Sequence, residues 1–456
     1  MKNSYIYILS FVLACFTFTA CEDDPENPAF GKSDIPRILF DWQSTVTLRL
    51  NDSLVLAPQI SPSDGVTYEW RLDNKVVSND RVLRLKFTEF GQYQLDFKIK
   101  RDTVTNSRSA QVAIQKASFE PRAYTKKVIG FITPTAKLED IQWEKITHLV
   151  ISSAQVGENG VDTVLNAADP KNTEMKKIIF MAYNYGVYVM LDLTGTIANY
   201  TNCGGYYANY DFYKNIANAD KRTALIKKVV QFIKNNKFDG LNIYLNNISE
   251  GNAFADPESV TTFFNDMHAE LSLLTAPKGQ MFYSASVPTG WTASVLSMVA
   301  TNENFDWVNI YGFASQDLSP IPSSPAWYLN DAIASWRAMG VPASKIVGGI
   351  PAFGRSYNFP DGVTITWGNV DNYASWISYK DVLALNADAA TLNPSQFNVT
   401  AKTGVFYDGF SNVDAKTQYI KDNNMAGVAV WSINNDSSDP TSSLLKRAYD
   451  NLNTSN

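Results

Sequence analysis

The 456-residue sequence contains little cysteine and almost no histidine. It has three Cys and two His, and Cys15 and Cys21 fall in the N-terminal segment, so that Cys203 stands alone in the rest of the chain. A single cysteine forms no internal disulfide, and with so few histidines it forms no zinc site. The sequence therefore predicts neither a disulfide-stabilised fold nor a metal centre, and it indicates no cofactor.

Charge is also sparse. Charged residues make up 18% of the chain, the net charge is −6 and the pI is about 5.2, so the basic surface that nucleic-acid binding requires is missing. Apolar residues reach 45%, which argues against disorder and allows two or three domains. Aromatic residues reach 13%; most are expected in the core, and others suit a sugar cleft because an aromatic face packs on the apolar face of a pyranose.

Long apolar runs are missing outside the N-terminus. Lys2 precedes an apolar stretch over residues 5–20, which is short for a membrane span and typical of a signal peptide. The stretch ends in FTAC at residues 18–21, which resembles a bacterial lipoprotein cleavage site with Cys21 as the lipidated N-terminus. We predict a signal peptide over residues 1–20, and Cys15 is the alternative lipidation site.

An acidic segment follows the predicted lipidation site. Residues 22–26 read EDDPE, and residues 21–34 also carry Pro28 and Gly31, which predicts an acidic tether. The acidic start resembles the export signal of surface lipoproteins in some Gram-negative bacteria. We therefore expect a lipid anchor in the outer membrane and exposure at the cell surface, with a non-specific acidic spacer as the alternative.

Residues 35–118 are predicted to form a small all-β domain. Apolar and polar residues alternate in TVTLRL at 45–50, in TYEWRL at 67–72 and in YQLDFKI at 93–99, and turn residues separate these segments. The pattern is typical of a sandwich and resembles the immunoglobulin-like domains of bacterial surface proteins. We expect a spacer domain, and a binding role stays open.

Residues 126–450 alternate strand-like and helix-like segments. Eight apolar strand candidates begin near residues 128, 146, 187, 238, 281, 307, 346 and 427, with helical patterns such as 221–235, 257–274, 327–339 and 411–423 between them. Eight such units predict a (β/α)8 barrel, which has its site at the C-terminal ends of the strands. An open doubly wound sheet is the alternative, although no G-x-G-x-x-G follows a strand.

The fourth strand carries the most informative motif. Residues 238–246 read FDGLNIYLN, which resembles the F-D-G-x-D-x-D-x-E signature of glycoside hydrolase family 18. In that family the alternate positions facing the barrel interior hold two Asp and the Glu that protonates the glycosidic oxygen. Here they hold Asn242, Tyr244 and Asn246. An amide has no proton to give and a phenol is a poor acid, so we expect no catalytic residue at these positions.

Strands seven and eight carry further similarities. GIPAFGRSY at 349–357 resembles the family's G-x-P-x-Y-G-R-x-W/Y, and GVAVWSINND at 427–436 resembles its G-x-x-x-W-x-x-x-x-D. The resemblance implies that Trp431 is the floor under a bound sugar; a core aromatic is the alternative. The short stretch between the two motifs favours the endo-β-N-acetylglucosaminidase-like barrels, which act on N-glycans, over chitinases with an α+β insertion.

Strands three and six depart from the family pattern. VNIYGFA at 308–314 places Tyr311, Phe313 and Ala314 where the family has Met, Tyr and Asp, and Asp192 replaces a serine on strand three. Tyr244 either stacks on a sugar or fills its subsite. The predicted glycan-binding residues are Trp431 as platform, with Tyr244, Asn242, Asn246, Asp192, Tyr311 and Arg355 around it.

These observations favour a non-catalytic surface lipoprotein that holds GlcNAc-containing glycans, of N-glycan or chitin type, for uptake. Such proteins resemble the glycan-binding components of outer-membrane import systems, so an outer-membrane glycan transporter is an expected partner. One alternative is an active endo-β-N-acetylglucosaminidase with Glu250 or Asp192 as a relocated acid. The other is a protein-interaction module with a vestigial cleft.

Overall fold

The structure is a computed structural model in which the chain forms two compact units, the first ending at Gln115 and the second beginning at Lys116. Cys15, Cys21, Cys203, Asn246 and Glu250 lie outside the described residues, as does the predicted tether. The described ranges are 35–39, 43–157, 159–163, 170–195, 197–200, 205–208, 210–244, 256–288, 297–313, 324–366, 369–400 and 402–454.

The first unit consists of short β-strands around an apolar core. Trp70 and Phe97 stack at its centre with ring centroids 4.0 Å apart, and both are fully buried. The prediction of an all-β domain is confirmed. Its strands are Arg37–Ile38, Thr45–Arg49, Ser53–Leu56, Ile60–Ser61, Val66–Leu72, Lys75–Ser78, Leu83–Lys86, Gly91–Arg101 and Val104–Gln115, arranged in one five-stranded and two two-stranded sheets.

The second unit is a closed eight-stranded barrel. Each strand runs parallel to the next, and the last pairs with the first, so the (β/α)8 prediction is confirmed. The barrel strands are β1 Lys127–Ile132, β2 His148–Gly157, β3 Tyr188–Gly195, β4 Gly240–Tyr244, β5 Phe282–Val287, β6 Trp307–Ile310, β7 Ile346–Pro351 and β8 Gly427–Trp431. Gly160–Thr163 extends β2 as an antiparallel hairpin, and Ile197–Tyr200 pairs with Gly205–Ala208 after β3.

The helices cover the outside of the barrel through apolar faces. In α3, for example, Leu225, Val229 and Ile233 recur every four residues and are buried, while the Asn218 side chain caps the first turn. The described helices are α1 Pro170–Tyr185, α2 Tyr210–Ala217, α3 Ala219–Asn236, α4 Pro257–Ser272, α5 Ser297–Thr301, α6 Ala326–Ala338, α7 Tyr379–Leu385, α8 Phe410–Asp422 and α9 Leu444–Asn453. Within the ranges given above, none of them has the length and apolarity of a membrane-spanning helix.

A small α+β insertion separates β7 from β8. Four antiparallel strands form its sheet in the spatial order Ala374–Ser378, Phe353–Asn358, Thr403–Tyr407 and Gln396–Phe397, and α7 packs beside them. The expectation that this stretch is too short for an α+β insertion is wrong. Strands of two to six residues joined by compact turns need little chain, so motif spacing alone underestimates what fits between the barrel strands.

The two ends of the barrel interior differ in chemistry. Near the starts of the strands, His148 is fully buried among aromatic rings, including Tyr188 and Trp307, and burial lowers its pKa to about 3. It is therefore a neutral structural residue at physiological pH. Polar side chains collect further along, toward the strands' C-terminal ends, where the sequence predicts the site.

Candidate functional site

The polar residues predicted on strands three and four meet inside the barrel. Asp192 of β3 and Asn242 of β4 are neighbours in the parallel ladder, and the Asn242 side-chain nitrogen donates to the Asp192 carboxylate over 2.7 Å. The other Asp192 oxygen accepts from Ser152 of β2 at 2.9 Å. Asp192 is only 1% exposed and Asn242 is fully buried, so the structure joins these two predicted residues within the packed interior.

Side chains on neighbouring strands form the remaining hydrogen bonds of the Asn242 amide. Its oxygen accepts from Ser284 at 2.8 Å and from Asn309 at 3.1 Å, and its nitrogen also donates to Ser286 at 3.0 Å. The Ser286 hydroxyl lies 3.2 Å from the Tyr311 hydroxyl, to which it donates. A buried amide requires such partners, because an unpaired polar group in an apolar interior is costly. Asn242 is thus the centre of a closed network between five strands.

Burial also shifts the pKa values of the titratable side chains in this interior. It raises the pKa of Asp192 to about 6, although the hydrogen bonds from Asn242 and Ser152 oppose the shift. It raises the pKa of the Tyr244 and Tyr311 phenols well above their usual range, and the Asp192 charge adds to both shifts. Both phenols therefore keep their protons at neutral pH, so neither acts as a base.

An aromatic cluster lies above the polar network, at the C-terminal ends of the strands. Tyr244 and Tyr311 meet edge to face with ring centroids 5.4 Å apart, and the Trp431 ring lies 6.0 Å from the first and 5.9 Å from the second. Phe131 supports Trp431 from 5.2 Å. Tyr311 is buried, whereas Tyr244 and Trp431 are partly exposed, so the last two share the accessible floor.

The line of rings continues from the barrel into the insertion. Tyr311 stacks on Phe313 at 5.1 Å, Phe313 meets Phe353 at 5.4 Å, and Phe353 meets Trp376 at 5.3 Å. The Arg355 guanidinium lies over the Trp376 ring at 4.9 Å and is itself 2% exposed. Arg355, one of the residues predicted around Trp431, thus lies against the rings of Trp376 and Tyr357 in the insertion.

Sequence reasoning overlooked part of this arrangement. Ser284 and Ser286 carried a usable signal, because they alternate on one strand face as strand residues that point inward do. Asn309 belongs to the sixth-strand motif but was not predicted as a site residue. The sequence carries no signal for Phe353 and Trp376, because only the folded insertion brings these two residues into line with the barrel aromatics.

The remaining motif acids have structural roles. Asp239 forms a buried ion pair with Lys278 over 2.7 Å at the start of β4. Asp436 accepts from the backbone N–H groups of Leu444 and Leu445, and so holds the first turn of α9. Among the residues that the structure describes, no three His, Cys, Asp or Glu side chains converge in a way that could hold a metal ion.

Comparisons with known proteins identify the family of the barrel. Residues 127–436 match the model of a family described as glycosyl hydrolases family 18. Human chitinase-3-like protein 2 is 22% identical over 51% of this chain and 68% of its own length. A chitinase-like effector of Moniliophthora roreri is 22% identical over 65% of this chain and 85% of its own length.

Solved structures share the barrel. A chitinase from Bacteroides thetaiotaomicron superposes with a TM-score of 0.55 at 20% identity, over 72% of this chain and 96% of that one. Human YKL-39, described as a pseudo-chitinase with retained chitooligosaccharide binding, superposes with a TM-score of 0.55 at 18% identity, over 72% and 99%. At such identities the likeness concerns the fold.

Proposed function

The chain belongs to glycosyl hydrolase family 18, and we propose that it is a non-catalytic member that binds GlcNAc-containing oligosaccharides in the barrel cleft. The observation that carries the proposal is the closed network of Asn242, which occupies a position where the family signature has an acid. Its amide bonds to Asp192, Ser284, Ser286 and Asn309, and none of these groups is a proton donor for a glycosidic oxygen at neutral pH.

The other titratable groups of the interior support the same proposal. The pKa of Tyr244, at the second acid position of the signature, is raised by burial, so its phenol is a weaker acid than free tyrosine. Asp192 is 1% exposed beneath the aromatic cluster and already accepts two hydrogen bonds. Its pKa of about 6 leaves Asp192 mostly ionised at neutral pH, so it holds little proton to donate.

Binding is supported by the aromatic floor and by the relatives. Trp431 and Tyr244 are both partly exposed at the mouth of the barrel, where the flat faces of pyranoses pack well on aromatic rings. YKL-39 is described as binding chitooligosaccharides, and a tobacco class V chitinase of the same fold was solved with a GlcNAc tetramer. Chitin-type oligomers are therefore the first ligands to test, and N-glycans the second.

Replacing Trp431 with alanine is expected to weaken glycan binding strongly. Loss of a central aromatic anchor typically costs about 2 kcal/mol or more, which corresponds to roughly 30-fold in affinity. Calorimetric titration with a GlcNAc hexamer measures the effect, and mass spectrometry checks that the ligand survives. Tyr124→Ala is the matched control, because Tyr124 is an exposed aromatic just before β1, at the opposite end of the barrel.

Three outcomes separate the candidate functions. If the ligand stays intact and Trp431→Ala binds it more weakly, the result supports a non-catalytic binding protein. Cleaved ligand supports an active hydrolase, and Glu250→Gln and Asp192→Asn then identify its acid. Absence of binding by the unaltered protein, to chitin oligomers and to N-glycans alike, favours the protein-interaction function.

We further propose that the protein is anchored at the outer-membrane surface through lipidated Cys21. The support is the FTAC sequence at residues 18–21 and the acidic run after it. Cys21→Ser is expected to abolish incorporation of labelled palmitate in cells, whereas Cys15→Ser leaves it intact. Labelling that depends on Cys15 instead would contradict the assignment, and protease treatment of intact cells tests surface exposure.

A further inference from the structure

Charge is distributed unevenly around the barrel. Residues 170–237, which hold α1, β3, α2 and α3, contain ten Lys or Arg and four Asp or Glu, which gives a net charge of +6. Residues 238–456 contain ten Lys or Arg and twenty Asp or Glu, which gives a net charge of −10. Because the strands follow one another around the barrel in chain order, these two segments occupy different sides of it. The barrel is therefore basic on one side and acidic on the other.

The outer face of α3 is the centre of the basic side. Lys221 and Lys228 are two helical turns apart, as are Lys227 and Lys234, so the four lysines form two lines along one face of the helix, and all four are exposed. They extend over about 20 Å of helix. Lys237, which is also exposed, follows directly after the helix. These five lysines form a surface that we call the basic face.

Neighbouring acids do not neutralise the basic face. Within the described ranges none of its five lysines forms an ion pair, and Lys228 donates to the uncharged backbone oxygen of Val161. Arg222 of the same helix is instead paired with Asp266 of α4 at 3.3 Å, which marks the edge of the basic face. The lysine charges are therefore available to a negatively charged partner.

The composition of the basic face favours a membrane surface over a protein partner. The exposed positions between the lysines hold Thr223, Ala224 and Gln231, none of which is a large apolar side chain. Protein interfaces are typically depleted in lysine and centred on apolar or aromatic residues. Rows of lysine instead suit the dense negative charge of lipid headgroups, because each ammonium acts as a separate point charge and requires no fixed partner geometry.

We propose that the basic face lies against the negatively charged headgroup phosphates of the membrane in which the protein is anchored. The inference rests on the proposed lipid anchor at Cys21 and adds to it the orientation of the barrel. Residues 21–34 reach at most about 50 Å when extended, so the anchor keeps the chain close to the membrane. Attraction between lysines and phosphates then holds α3 against the surface, while the acidic side of the barrel is repelled.

This orientation determines where the barrel mouth opens. Helices of a (β/α)8 barrel run alongside its strands, so contact along α3 places the barrel axis roughly parallel to the membrane. Trp431 and Tyr244, at the C-terminal ends of β8 and β4, then face along the membrane surface and not into it. The helix α8, which lies between β7 and β8 across the barrel from α3, faces away from the membrane. A glycan outside the cell therefore reaches the mouth without entering the lipid.

Amine labelling of the lipidated protein in vesicles tests this inference. The protein is reconstituted in phosphatidylcholine vesicles and in vesicles that also contain phosphatidylglycerol, and acetylation of each lysine by acetic anhydride is followed by mass spectrometry. We expect Lys221, Lys227 and Lys234 to be labelled roughly five-fold more slowly in the anionic vesicles, because a lysine close to an anionic surface gains a comparable factor in binding. Lys421, exposed on α8, should be labelled equally in both. Raised salt should remove the difference, since it screens the attraction.

Charge reversal provides a matched pair of variants. Lys227→Glu is expected to remove most of the protection of Lys221 and Lys234, because it places a negative charge at the middle of the basic face. Lys421→Glu on α8 changes the net charge of the protein by the same amount, and it should leave that protection intact.

Other results would overturn the inference, and failure of the anchor is distinguishable from them. Equal labelling of the α3 lysines in both vesicles, by a protein that stays with both, means that the orientation is wrong while the anchor stands. Protection in both vesicles that grows with protein density assigns the basic face to contacts between copies. A protein that does not stay with phosphatidylcholine vesicles lacks the anchor. Capture by anionic vesicles that Lys227→Glu weakens then still supports the basic face, and no capture overturns it.

Discussion

Replacing Asn242 with aspartate is expected to destabilise the protein strongly at pH 8. The new carboxylate replaces a nitrogen that lies 2.7 Å from the Asp192 carboxylate, and both positions are buried. Two charges about 4 Å apart repel by about 4 kcal/mol at the effective dielectric of protein sites. The variant must therefore hold a proton between the two groups, and its free energy of unfolding at pH 8 should fall by roughly 3–4 kcal/mol.

The sign of the pH dependence follows from the raised pKa values. Burial already raises the pKa of Asp192 from 3.8 to about 6, so the proton favours the folded state. Its contribution to stability is fully present below 3.8 and is lost as the pH rises through about 6. A second carboxylate raises the upper pKa of the pair further. Urea unfolding should therefore show a smaller loss for Asn242→Asp at pH 5 than at pH 8.

The matched control exchanges the two residues. Asp192→Asn combined with Asn242→Asp keeps one carboxylate and one amide in the same contact, so it should recover most of the lost stability at pH 8. Asp192→Asn alone removes the titration, and its stability relative to the unaltered protein should rise by about 2–3 kcal/mol between pH 4 and pH 7. Equal stability of Asn242→Asp at both pH values would contradict the explanation.

Replacing Lys416 with methionine is expected to lower the free energy of unfolding by roughly 3–5 kcal/mol, because it leaves a buried carboxylate without its partner. Lys416 lies on α8 and donates to Asp408 at 2.5 Å and to Ser324 at 2.8 Å, and both members of the ion pair are fully buried. Burial raises the pKa of Asp408 and lowers the pKa of Lys416, while their mutual attraction opposes both shifts. Urea unfolding at pH 7 measures the loss.

Two comparisons isolate the buried pair. Lys416→Met with Asp408→Asn removes both charges and should recover part of the stability. Lys402→Met removes an ion pair with Asp361 on the surface of the insertion and should change stability by about 0–1 kcal/mol. Similar losses for Lys402→Met and Lys416→Met would contradict the role of burial.

The Lys416 pair also lies close to the elements that carry the proposed binding site. Asp408 directly follows the insertion strand Thr403–Tyr407, and the Ser324 hydroxyl donates to the backbone oxygen of Gly312 at 2.5 Å. Gly312 lies beside Phe313, within the line of rings. The buried pair thus connects the end of the insertion to the segment that directly follows β6.

The secondary-structure elements and the family could be predicted from the order and spacing of the residues. Strand and helix periods are local properties, so the eight barrel strands, the helices between them and the all-β first unit were predictable from residue spacing. Alternation along a strand needs no tertiary information, and it predicts that residues 242 and 244 both face the barrel interior. Their identities then show that acids are missing at these two positions.

The groups that these residues contact depend on the tertiary fold. Asp192 and Asn242 are separated by a helical crossover, and Arg355 reaches Trp376 through the folding of the insertion, so neither contact follows from spacing. The prediction that the insertion was missing failed for the same reason, since a sheet depends on pairing between distant segments. Local sequence specifies the direction of a side chain, whereas its partner depends on which distant strand the fold brings alongside.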